Sequence, residues 1–416
     1  MALIVHKYGG TSMGSVERIR NVAKRVAKWH KAGHRLVVVL SAMAGETNRL
    51  LSLVQKISEQ PNPRELDMIT STGEQVSVGL LSIALQEEGI DAASYAGWQV
   101  AIKTDSAFTK ARINEINDKR VLTDLNAGKV VVIAGFQGVD PDGYITTLGR
   151  GGSDTSAVAI AAAMRADECL IYTDVDGVYV TDPRVVEKAR RLDQITFEEM
   201  LEMASLGSKV LQIRSVECAG KYRVKTRVLS SLIDPMIPLD EEMCSGTLIT
   251  FEENEKMEQA VISGIAFQRD EARIAVINVP DKIDIAYQIL GPIAEANIDV
   301  DMINQNSGIE GKTDLAFTVN RGDYKHAMNI LSYHSKEYIN AQRVLGNPQV
   351  SKVSLVGVGM RSHVGVASKM FHTLSEEGIN IQMISTSEIK ISVLIDERFI
   401  ECAVRALYKE FDLEKT

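Results

Sequence analysis

Apolar and polar positions form two different patterns along the first 249 residues, one typical of buried strands and one typical of helices. Five short runs are almost continuously apolar: ALIVHKYGG, RLVVVLSAM, GKVVVIAGF, ECLIYTDV and KTRVLS. Runs of this kind indicate strands that are covered on both faces. Between them, STGEQVSVGLLSIALQEEG reads as a helix, and a second helix carries one apolar face that consists of Val16, Ile19, Val22, Ala23 and Val26. Strands alternating with helices predict an α/β domain with a mostly parallel sheet between helices.

The last part of the chain contains an internal repeat. IAEANIDVDMINQN and LSEEGINIQMISTS align at Met302 and Met383, which lie 81 residues apart. Each unit predicts the order strand, helix, strand, strand, helix. The first unit ends with one more strand near 341–346, whereas the second ends with a helix. We infer that the spare strand at 259–267 completes the second unit, so that the first is inserted within it; the alternative is that this strand only lengthens a linker.

These patterns divide the chain into four parts. The boundaries are 1–249 for the α/β domain, 250–262 for a charged linker with the start of the shared strand, 263–343 for the first α+β module and 344–416 for the second.

Composition and charge narrow the class of protein. Of the 416 residues, 45% are apolar and 24% are charged, as in ordinary globular proteins. The net charge of −9 argues against nucleic acid or an anionic membrane as the main partner. Four dispersed cysteines without a CxxC pair fit a reducing compartment. Because we find no signal peptide and no run of 18 apolar residues, we expect a cytoplasmic protein without a membrane span.

Two glycine-rich loops lie between a strand and a helix. In KYGGTSMG, Gly9 and Gly10 can form an anion-binding nest near Lys7, aided by a helix N-terminus; the alternative is an ordinary turn with a solvated lysine. TLGRGGSDTSA has three glycines where a turn needs one, and its Arg150 suits a carboxylate or a phosphate. Asp154, or one of the two hydroxyl residues after it, could cap the following helix, which alone would explain only one polar residue.

Three further polar stretches follow predicted strands, where ligands of parallel sheets bind. YTDVDGVYVTDPR (172–184) suits a nucleotide cleft, or else contains two ordinary turns. STGEQ places Glu74 in the first turn of a helix, as a dipole partner or as a ligand for a substrate ammonium. VLSAMAGETN contributes Ser41 and Thr47.

Taken together, these motifs resemble those of the aspartate kinases. KYGGTS is similar to the family's KFGGTS, the other stretches follow in the family's order, and the repeat resembles its paired ACT modules. The resemblance implies an amino-acid-kinase α/β domain followed by two ACT (βαββαβ) modules. It also implies ATP-dependent phosphorylation of the side-chain carboxylate of L-aspartate to 4-phospho-L-aspartate, the first step towards lysine, threonine and methionine.

The resemblance carries roles to individual residues. The implied catalytic residues are Lys7, Glu74 and Asp154. The implied ATP-binding residues are Lys7, Tyr8, Gly9, Gly10, Ser41, Thr173, Asp174, Tyr179, Asp182, Pro183, Arg184 and Lys209. The implied aspartate-binding residues are Thr47, Glu74, Arg150, Gly151, Gly152 and Ser153. We expect no protein metal cage, because Mg²⁺ would arrive with ATP.

The paired modules imply regulation by lysine, threonine or both, and a homo-oligomer, either a dimer or a dimer of dimers. The implied effector residues are Asp301, Gln305, Asn380 and Ile381. The first module departs from the family's usual Pro-Gly pair, because it has Ile283 and Asp284 there, which puts its effector loop in doubt. Dimerisation without an effector is the alternative.

Two other functions compete. Another kinase on the same fold, acting on glutamate or uridylate, would share the glycine loops but would need neither STGEQ nor the paired modules. A nucleotide-binding amino-acid sensor without catalysis would not need Lys7, Glu74, Arg150 and Asp154 together.

Overall fold

The computed structural model describes residues 1–207, 210–251, 262–307, 311–334, 339–357, 360 and 365–414. These residues form two compact units. The first unit contains 1–179, 191–205 and 210–251; the second contains 180–190, 206–207 and the described residues from 262 onward.

The first unit is built on a large, mostly parallel sheet. The strands of this unit are β1 (Leu3–Tyr8), β2 (Arg35–Leu40), β3 (Ala92–Tyr95), β4 (Ile102–Thr104), β5 (Ile113–Ile116), β6 (Val130–Ala134), β7 (Gln137–Val139), β8 (Ile145–Thr147), β9 (Glu168–Thr173), β10 (Gln194–Thr196), β11 (Thr226–Ser230) and β12 (Thr247–Thr250). Within the described residues, eight of them form one sheet in the order β10-β12-β11-β9-β1-β2-β6-β3. Among the residues that the structure describes, β11 and β12 are the only pair of neighbours in this sheet that run antiparallel. The five apolar runs of the sequence are its central neighbours β11, β9, β1, β2 and β6, which confirms the predicted fold class.

Helices cover both faces of this sheet. They are α1 (Val16–Lys31), α2 (Glu46–Gln55), α3 (Pro63–Thr70), α4 (Thr72–Glu87), α5 (Lys119–Asn126), α6 (Gly152–Ala163), α7 (Phe197–Ser205), α8 (Ile213–Tyr222) and α9 (Leu239–Cys244), with 3-10 turns at Thr11–Met13 and Gly97–Val100. Helix α1 packs against α4, and α6 packs against α8. The predicted apolar face of α1 is buried except at Val16, which is 62% exposed because it is the first residue of the helix.

Side chains of each central strand point alternately to the two helical layers. Tyr8 and Tyr172 belong to the core that α1 and α4 cover. Lys7 points the opposite way and meets Asp154 on α6. Lys7 is therefore on the α6 side of the sheet, whereas the side chains of Tyr8 and Tyr172 are on the other side. A separate small sheet, β5-β4-β7-β8, lies in the same unit.

The second unit contains one continuous antiparallel sheet. Its strands are β13 (Gly264–Pro280), β14 (Val300–Ser307), β15 (Lys312–Asn320), β16 (Arg343–Val356), β17 (Met383–Thr386) and β18 (Lys390–Asp396). Its helices are α10 (Ile285–Glu295), α11 (Tyr324–His334), α12 (Val366–Glu376) and α13 (Ile400–Glu410), with a 3-10 turn at Glu397–Phe399. Within the described residues the sheet order is β14-β15-β13-β16-β18-β17.

Two long strands serve both repeated modules. The part of β13 after Glu271 pairs with β15, whereas Gly264–Gln268 pair with Val356–Lys352 of β16. The stretch 350–356 of β16 pairs in turn with β18. The described part of the spare strand is the start of β13, and it pairs with the stretch of β16 that is the first strand of the second module. Residues 252–261 lie outside the described residues.

Segment 180–190 belongs to the second unit and is joined to the rest of that unit by hydrogen bonds. The Ile265 N–H donates to the Val180 carbonyl at 2.6 Å, and the Tyr408 hydroxyl donates to the Lys188 carbonyl at 2.9 Å. In the described part of the chain, no helix is long and apolar enough to cross a membrane.

Candidate active site

Three loops meet at the carboxyl ends of neighbouring parallel strands β9, β1 and β2. The Gly9 N–H donates to the Tyr172 carbonyl at 3.2 Å. A Cβ atom at Gly10 would lie only 3.1 Å from the Ala42 carbonyl oxygen, so a larger residue there would push the loops apart. The helical turn after these glycines is the short 3-10 turn Thr11–Met13, and α1 begins only at Val16. The helix that was expected to aid the anion site therefore does not start directly after the glycines.

An ion pair joins the two glycine-rich loops. Lys7 Nζ lies 2.5 Å from Asp154 Oδ1, and their side chains are 9% and 11% exposed. Breaking such a buried pair leaves a charge without its counterion, at a cost of about 3–5 kcal/mol. The pair therefore holds a lysine ammonium at a fixed position, with its remaining N–H groups available to an anion.

Hydroxyl groups from both loops also meet. Ser41 Oγ and Ser153 Oγ form a hydrogen bond of 2.8 Å. Gly135, which follows β6, lies beneath them: its Cβ would be 3.0 Å from the Ser153 Cβ and 3.0 Å from Val39 Cγ1. The structure thus brings together Lys7, Ser41, Ser153 and Asp154, and Gly135 is a supporting residue that sequence reasoning missed.

Glu74 is a buried carboxylate in the first turn of α4, where the sequence placed it. It is 3% exposed, and burial raises its pKa to about 7. One oxygen, Oε1, accepts a hydrogen bond of 3.0 Å from the Ala42 N–H, which partly opposes that rise. Among the described residues, Oε2 has no hydrogen-bond partner. A cationic ligand at Oε2 would favour the ionised form.

The backbone conformation of the loop explains why TLGRGGSDTSA contains more than one glycine. Gly149 and Gly151 have φ values of +77° and +68°, which residues with a side chain adopt at a penalty. A Cβ at Gly151 would also lie 1.8 Å from Gln212 Cγ, and one at Gly152 would lie 2.9 Å from Leu148 Cβ. The glycines therefore give this loop its shape and its close packing.

The expected capping of α6 by Asp154, Thr155 or Ser156 is wrong. The helix begins at Gly152, its N-cap is Gly151, and no side chain caps it. The hydroxyls of Thr155 and Ser156 donate instead to carbonyls one turn earlier, at 3.3 and 2.8 Å. The helix begins two residues before Asp154, so Asp154 lies inside its first turn and cannot be its N-cap. The Asp154 side chain is instead paired with Lys7.

Arg150 and Thr47 lie on more open positions. Arg150 is exposed and, within the described residues, forms no ion pair or hydrogen bond, so its guanidinium is available to a ligand. Thr47 lies in the first turn of α2 and is half-buried.

A buried carboxylate and a half-buried guanidinium hold the glycine-rich loop from below, and neither was anticipated. Asp67 of α3 accepts hydrogen bonds from the Thr147 N–H and hydroxyl, at 2.8 and 2.7 Å. Arg214 of α8 donates to the Leu148 carbonyl at 2.6 Å. Each charge sits on a helix far away in the sequence, where it looks like an ordinary polar position.

The candidate nucleotide residues of the first unit follow β9. Thr173 Oγ1 donates to Asp174 Oδ1 at 3.1 Å, and the Tyr179 hydroxyl donates to Asp176 at 2.7 Å. Asp174 is exposed, and Thr173 and Tyr179 are half-buried. The ring of Tyr8 is fully buried and stacks on Tyr172 at 4.7 Å, so any contact it makes with a nucleotide comes through its backbone.

The remaining predicted nucleotide residues fall outside the described part of the first unit. Asp182, Pro183 and Arg184 belong to the second unit. There, Arg184 Nη2 lies 2.6 Å from Asp182 Oδ2, and this contact lowers the pKa of Asp182. Lys209 lies outside the described residues.

The predicted effector residues separate into two groups. Asp301 and Gln305 lie on β14, and Asn380 and Ile381 directly precede β17. Because β14 and β17 are opposite edges of the sheet, one chain does not bring the two groups together. Asp301 is also ion-paired with the buried Lys352, whose Nζ lies 3.4 Å from Glu271 Oε1.

The two ligand loops of the modules differ as the sequence suggested. Gly365 precedes α12 with φ of +105°, a conformation that favours glycine. At the matching position Asp284 precedes α10 with φ of −105°, and Ile283 beside it is fully exposed. The backbone of the first loop therefore follows a different path.

In the described ranges, no three histidine, cysteine, aspartate or glutamate side chains are close enough to hold a metal ion together.

Comparison with known proteins relates this site to one family. The profile described as "Amino acid kinase family" matches residues 2–230, and one described as "ACT domain" matches residues 353–411. An aspartate kinase of Pseudomonas fluorescens is 62% identical over 416 residues, which are 100% of this chain and 98% of that protein. The solved structure of E. coli aspartokinase III in complex with aspartate and ADP has a TM-score of 0.80 at 27% identity, covering 98% and 99% of the two chains. The same enzyme in complex with lysine and aspartate gives a TM-score of 0.74 at 26% identity, covering 98% and 99%.

Proposed function

The chain belongs to the amino acid kinase family and, within it, to the aspartate kinases, and from this we propose how its residues transfer a phosphoryl group from ATP to L-aspartate. The observation that carries the proposal is the buried Lys7–Asp154 ion pair, which lies where the two glycine-rich loops meet. It sets one fixed positive charge between two candidate anion sites.

The reaction needs no general base. An aspartate side chain with a pKa of about 3.9 is already ionised at pH 7. One of its oxygens forms a bond to the γ-phosphorus while the bond from that phosphorus to the β,γ-bridging oxygen breaks, and ADP leaves with the electron pair. The difficulty is to bring an anion against a polyanion, so catalysis rests on positioning and charge neutralisation.

Lys7, Gly9 and Gly10 suit the phosphates in this proposal. The ammonium of Lys7 neutralises charge on the transferred group, and backbone N–H groups of the glycines donate to phosphate oxygens. Asp154 holds Lys7, and Ser41 lies beside Ser153 at the boundary between nucleotide and acceptor. Mg²⁺ enters with ATP as part of the substrate.

Arg150 and Glu74 suit the two charges at the α-carbon of aspartate. The guanidinium of Arg150 grips the α-carboxylate in two-point fashion, and Glu74 Oε2 accepts from the α-ammonium. Gly151, Gly152, Ser153 and Thr47 complete the acceptor site. Thr173, Asp174 and Tyr179 bind the nucleotide at the end of β9. The proposal does not use Asp182, Pro183, Arg184 or Lys209.

An acyl-phosphate trap tests the proposal. Enzyme, ATP and L-aspartate are incubated with hydroxylamine, and the β-hydroxamate is measured; L-glutamate and UMP are assayed in parallel, the latter by ADP release. We expect hydroxamate with aspartate only. Product with glutamate or UMP and none with aspartate would support one of the other kinases, and no product with any acceptor would support a sensor.

We further propose feedback regulation at the ACT modules by lysine, threonine or both, as for a first enzyme on the route to lysine, threonine and methionine. E. coli aspartokinase III has been solved with lysine bound. Because the two groups of effector residues lie on opposite edges of one sheet, a complete site requires a second copy of the chain, which supports a homo-oligomer. An effector acts only through different affinities for two states of the enzyme.

Titration of lysine and threonine, singly and together, with sedimentation at each concentration tests the regulatory proposal. Inhibition by at least one of them in a dimer or larger assembly is expected. An oligomer that responds to neither would support dimerisation without an effector.

A further inference from the structure

A largely buried ion cluster lies between α1 and α9. Arg25 Nε lies 2.7 Å from Glu242 Oε1, and both side chains are 0% exposed. Lys28 Nζ lies 2.6 Å from Glu242 Oε2. The Trp29 indole and the Tyr172 hydroxyl also donate to this carboxylate, at 3.2 and 3.1 Å. Charges this deep are seldom the cheapest way to stabilise a core, because their desolvation offsets most of their attraction.

The cations of the cluster hold one segment of backbone. We call residues 231–238, between β11 and α9, the 231–238 segment. Arg25 donates to the carbonyls of Ser231 at 3.3 Å and Ile233 at 2.8 Å. Lys28 donates to the Ile237 carbonyl at 2.7 Å. Glu242 pairs with both cations, so the cluster fixes the path of a segment that has no regular structure of its own.

The 231–238 segment lies directly beside the candidate nucleotide residues. The Ser231 N–H and hydroxyl both donate to the Thr173 carbonyl, at 2.8 and 2.9 Å. The segment also presents two large apolar side chains to solvent: Leu232 is 52% exposed and Met236 is 62% exposed. An apolar surface next to groups that bind phosphate or ribose is what a purine base requires.

We propose that the 231–238 segment is the base-binding wall of the nucleotide site, with Leu232 and Met236 against the adenine, and that Arg25 is the positioning residue that holds this wall. The inference rests on the proposed placement of ATP beside Thr173 and Asp174. It adds residues that no sequence motif in the chain marks, since Arg25 lies on a helix on the other side of the sheet from α6.

The test measures KM for ATP and for aspartate separately in the full-length enzyme. Leu232→Ser and Met236→Ser change exposed side chains, so folding is preserved. Their double variant should raise KM for ATP about tenfold, which corresponds to about 1.4 kcal/mol of nucleotide binding. KM for aspartate should stay within about twofold, because no aspartate contact changes.

Arg25→Lys keeps the positive charge but loses the two N–H groups that donate to the Ser231 and Ile233 carbonyls. It should therefore also raise KM for ATP and leave KM for aspartate nearly unchanged. The matched control is Arg227→Lys. Arg227 of β11 pairs with Glu168 of β9 at 2.9 Å in another shielded ion pair, which lies at the ends of these two strands that are opposite to Ser231 and Thr173. We expect the control to lower the melting temperature without changing KM for ATP.

Asp174→Ala distinguishes a failure of the base-binding wall from a failure of the proposed nucleotide site at Thr173 and Asp174. If Asp174→Ala raises KM for ATP while the Leu232 and Met236 double variant does not, the base-binding wall is wrong and the nucleotide site stands. If Asp174→Ala also leaves KM for ATP unchanged, both are overturned. Equal effects of Arg25→Lys and Arg227→Lys on KM for ATP would remove the positioning role of Arg25.

Discussion

Replacing Glu74 by glutamine should make the ligand-free enzyme more stable and less active. Burial raises the pKa of Glu74 to about 7 from an ordinary value of 4.5. Between these two values the folded protein holds a proton that the unfolded chain has released, so folding stability falls as pH rises through this window. The difference corresponds to about 3 kcal/mol above pH 7, at about 1.4 kcal/mol for each pH unit.

Glutamine removes this penalty and keeps the useful hydrogen bond. Its side-chain carbonyl can still accept from the Ala42 N–H, which Glu74 Oε1 now does at 3.0 Å. Urea unfolding at pH 5 and pH 8 measures the effect. Glu74→Gln should match the wild type at pH 5 and exceed it by up to about 3 kcal/mol at pH 8.

The same substitution should remove the pH dependence of aspartate binding. An ammonium at Glu74 Oε2 favours the ionised carboxylate, so the wild-type KM for aspartate should fall as pH rises from 6 to 8. In Glu74→Gln it should be higher and flat over this range. A variant no more stable than wild type at pH 8, with an unchanged pH profile, would refute the reasoning.

Three further predictions concern the loops and the second unit. Lys7→Met should lower kcat at least about 100-fold; adding Asp154→Asn should restore stability to urea but not turnover. Gly151→Ala should lower the melting temperature more than Gly128→Ala, because both have positive φ but only Gly151 lacks room for a Cβ. Lys352→Met should cost about 3–5 kcal/mol at pH 8, as measured by urea unfolding, and less at pH 5, because burial raises the pKa of Glu271 and so helps this carboxylate to take up a proton once the lysine is gone.

Each of these has a contradicting result. Appreciable turnover in Lys7→Met would exclude a role at the phosphates. Equal melting temperatures for the two glycine variants would show that the Gln212 side chain moves aside without penalty. If Lys352→Met lost the same stability at pH 5 and pH 8, the loss would not come mainly from leaving the neighbouring carboxylates without a counterion.

The sheet of the first unit was predictable because its central strands are buried on both faces. Such strands are apolar at most positions, and this leaves a signal that does not depend on their neighbours. The short strands β4, β5, β7 and β8 gave no such signal, since strands of only three or four residues carry too little pattern. The repeat could be found because Met302 and Met383 occupy matching edge strands.

The partners of the site residues were less predictable than the residues themselves. Glycine-rich loops after strands identified Lys7 and Asp154, but only the neighbouring positions of β1 and α6 turn them into an ion pair. The sequence offered helix capping for Asp154, which is a local role, whereas the pairing joins residues far apart in the chain. Arg25 and Glu242 look like solvated helix positions for the same reason.

Steady-state kinetics of Arg150→Ala tests the central claim most directly, namely that the loop around Arg150 binds aspartate and the loop of Lys7 binds the phosphates. Arg150 is exposed, so the variant should keep its melting temperature. Loss of a charge-assisted contact with the α-carboxylate should raise KM for aspartate at least about tenfold. KM for ATP should remain within about twofold. A rise in KM for ATP with an unchanged KM for aspartate would contradict the assignment of the two loops.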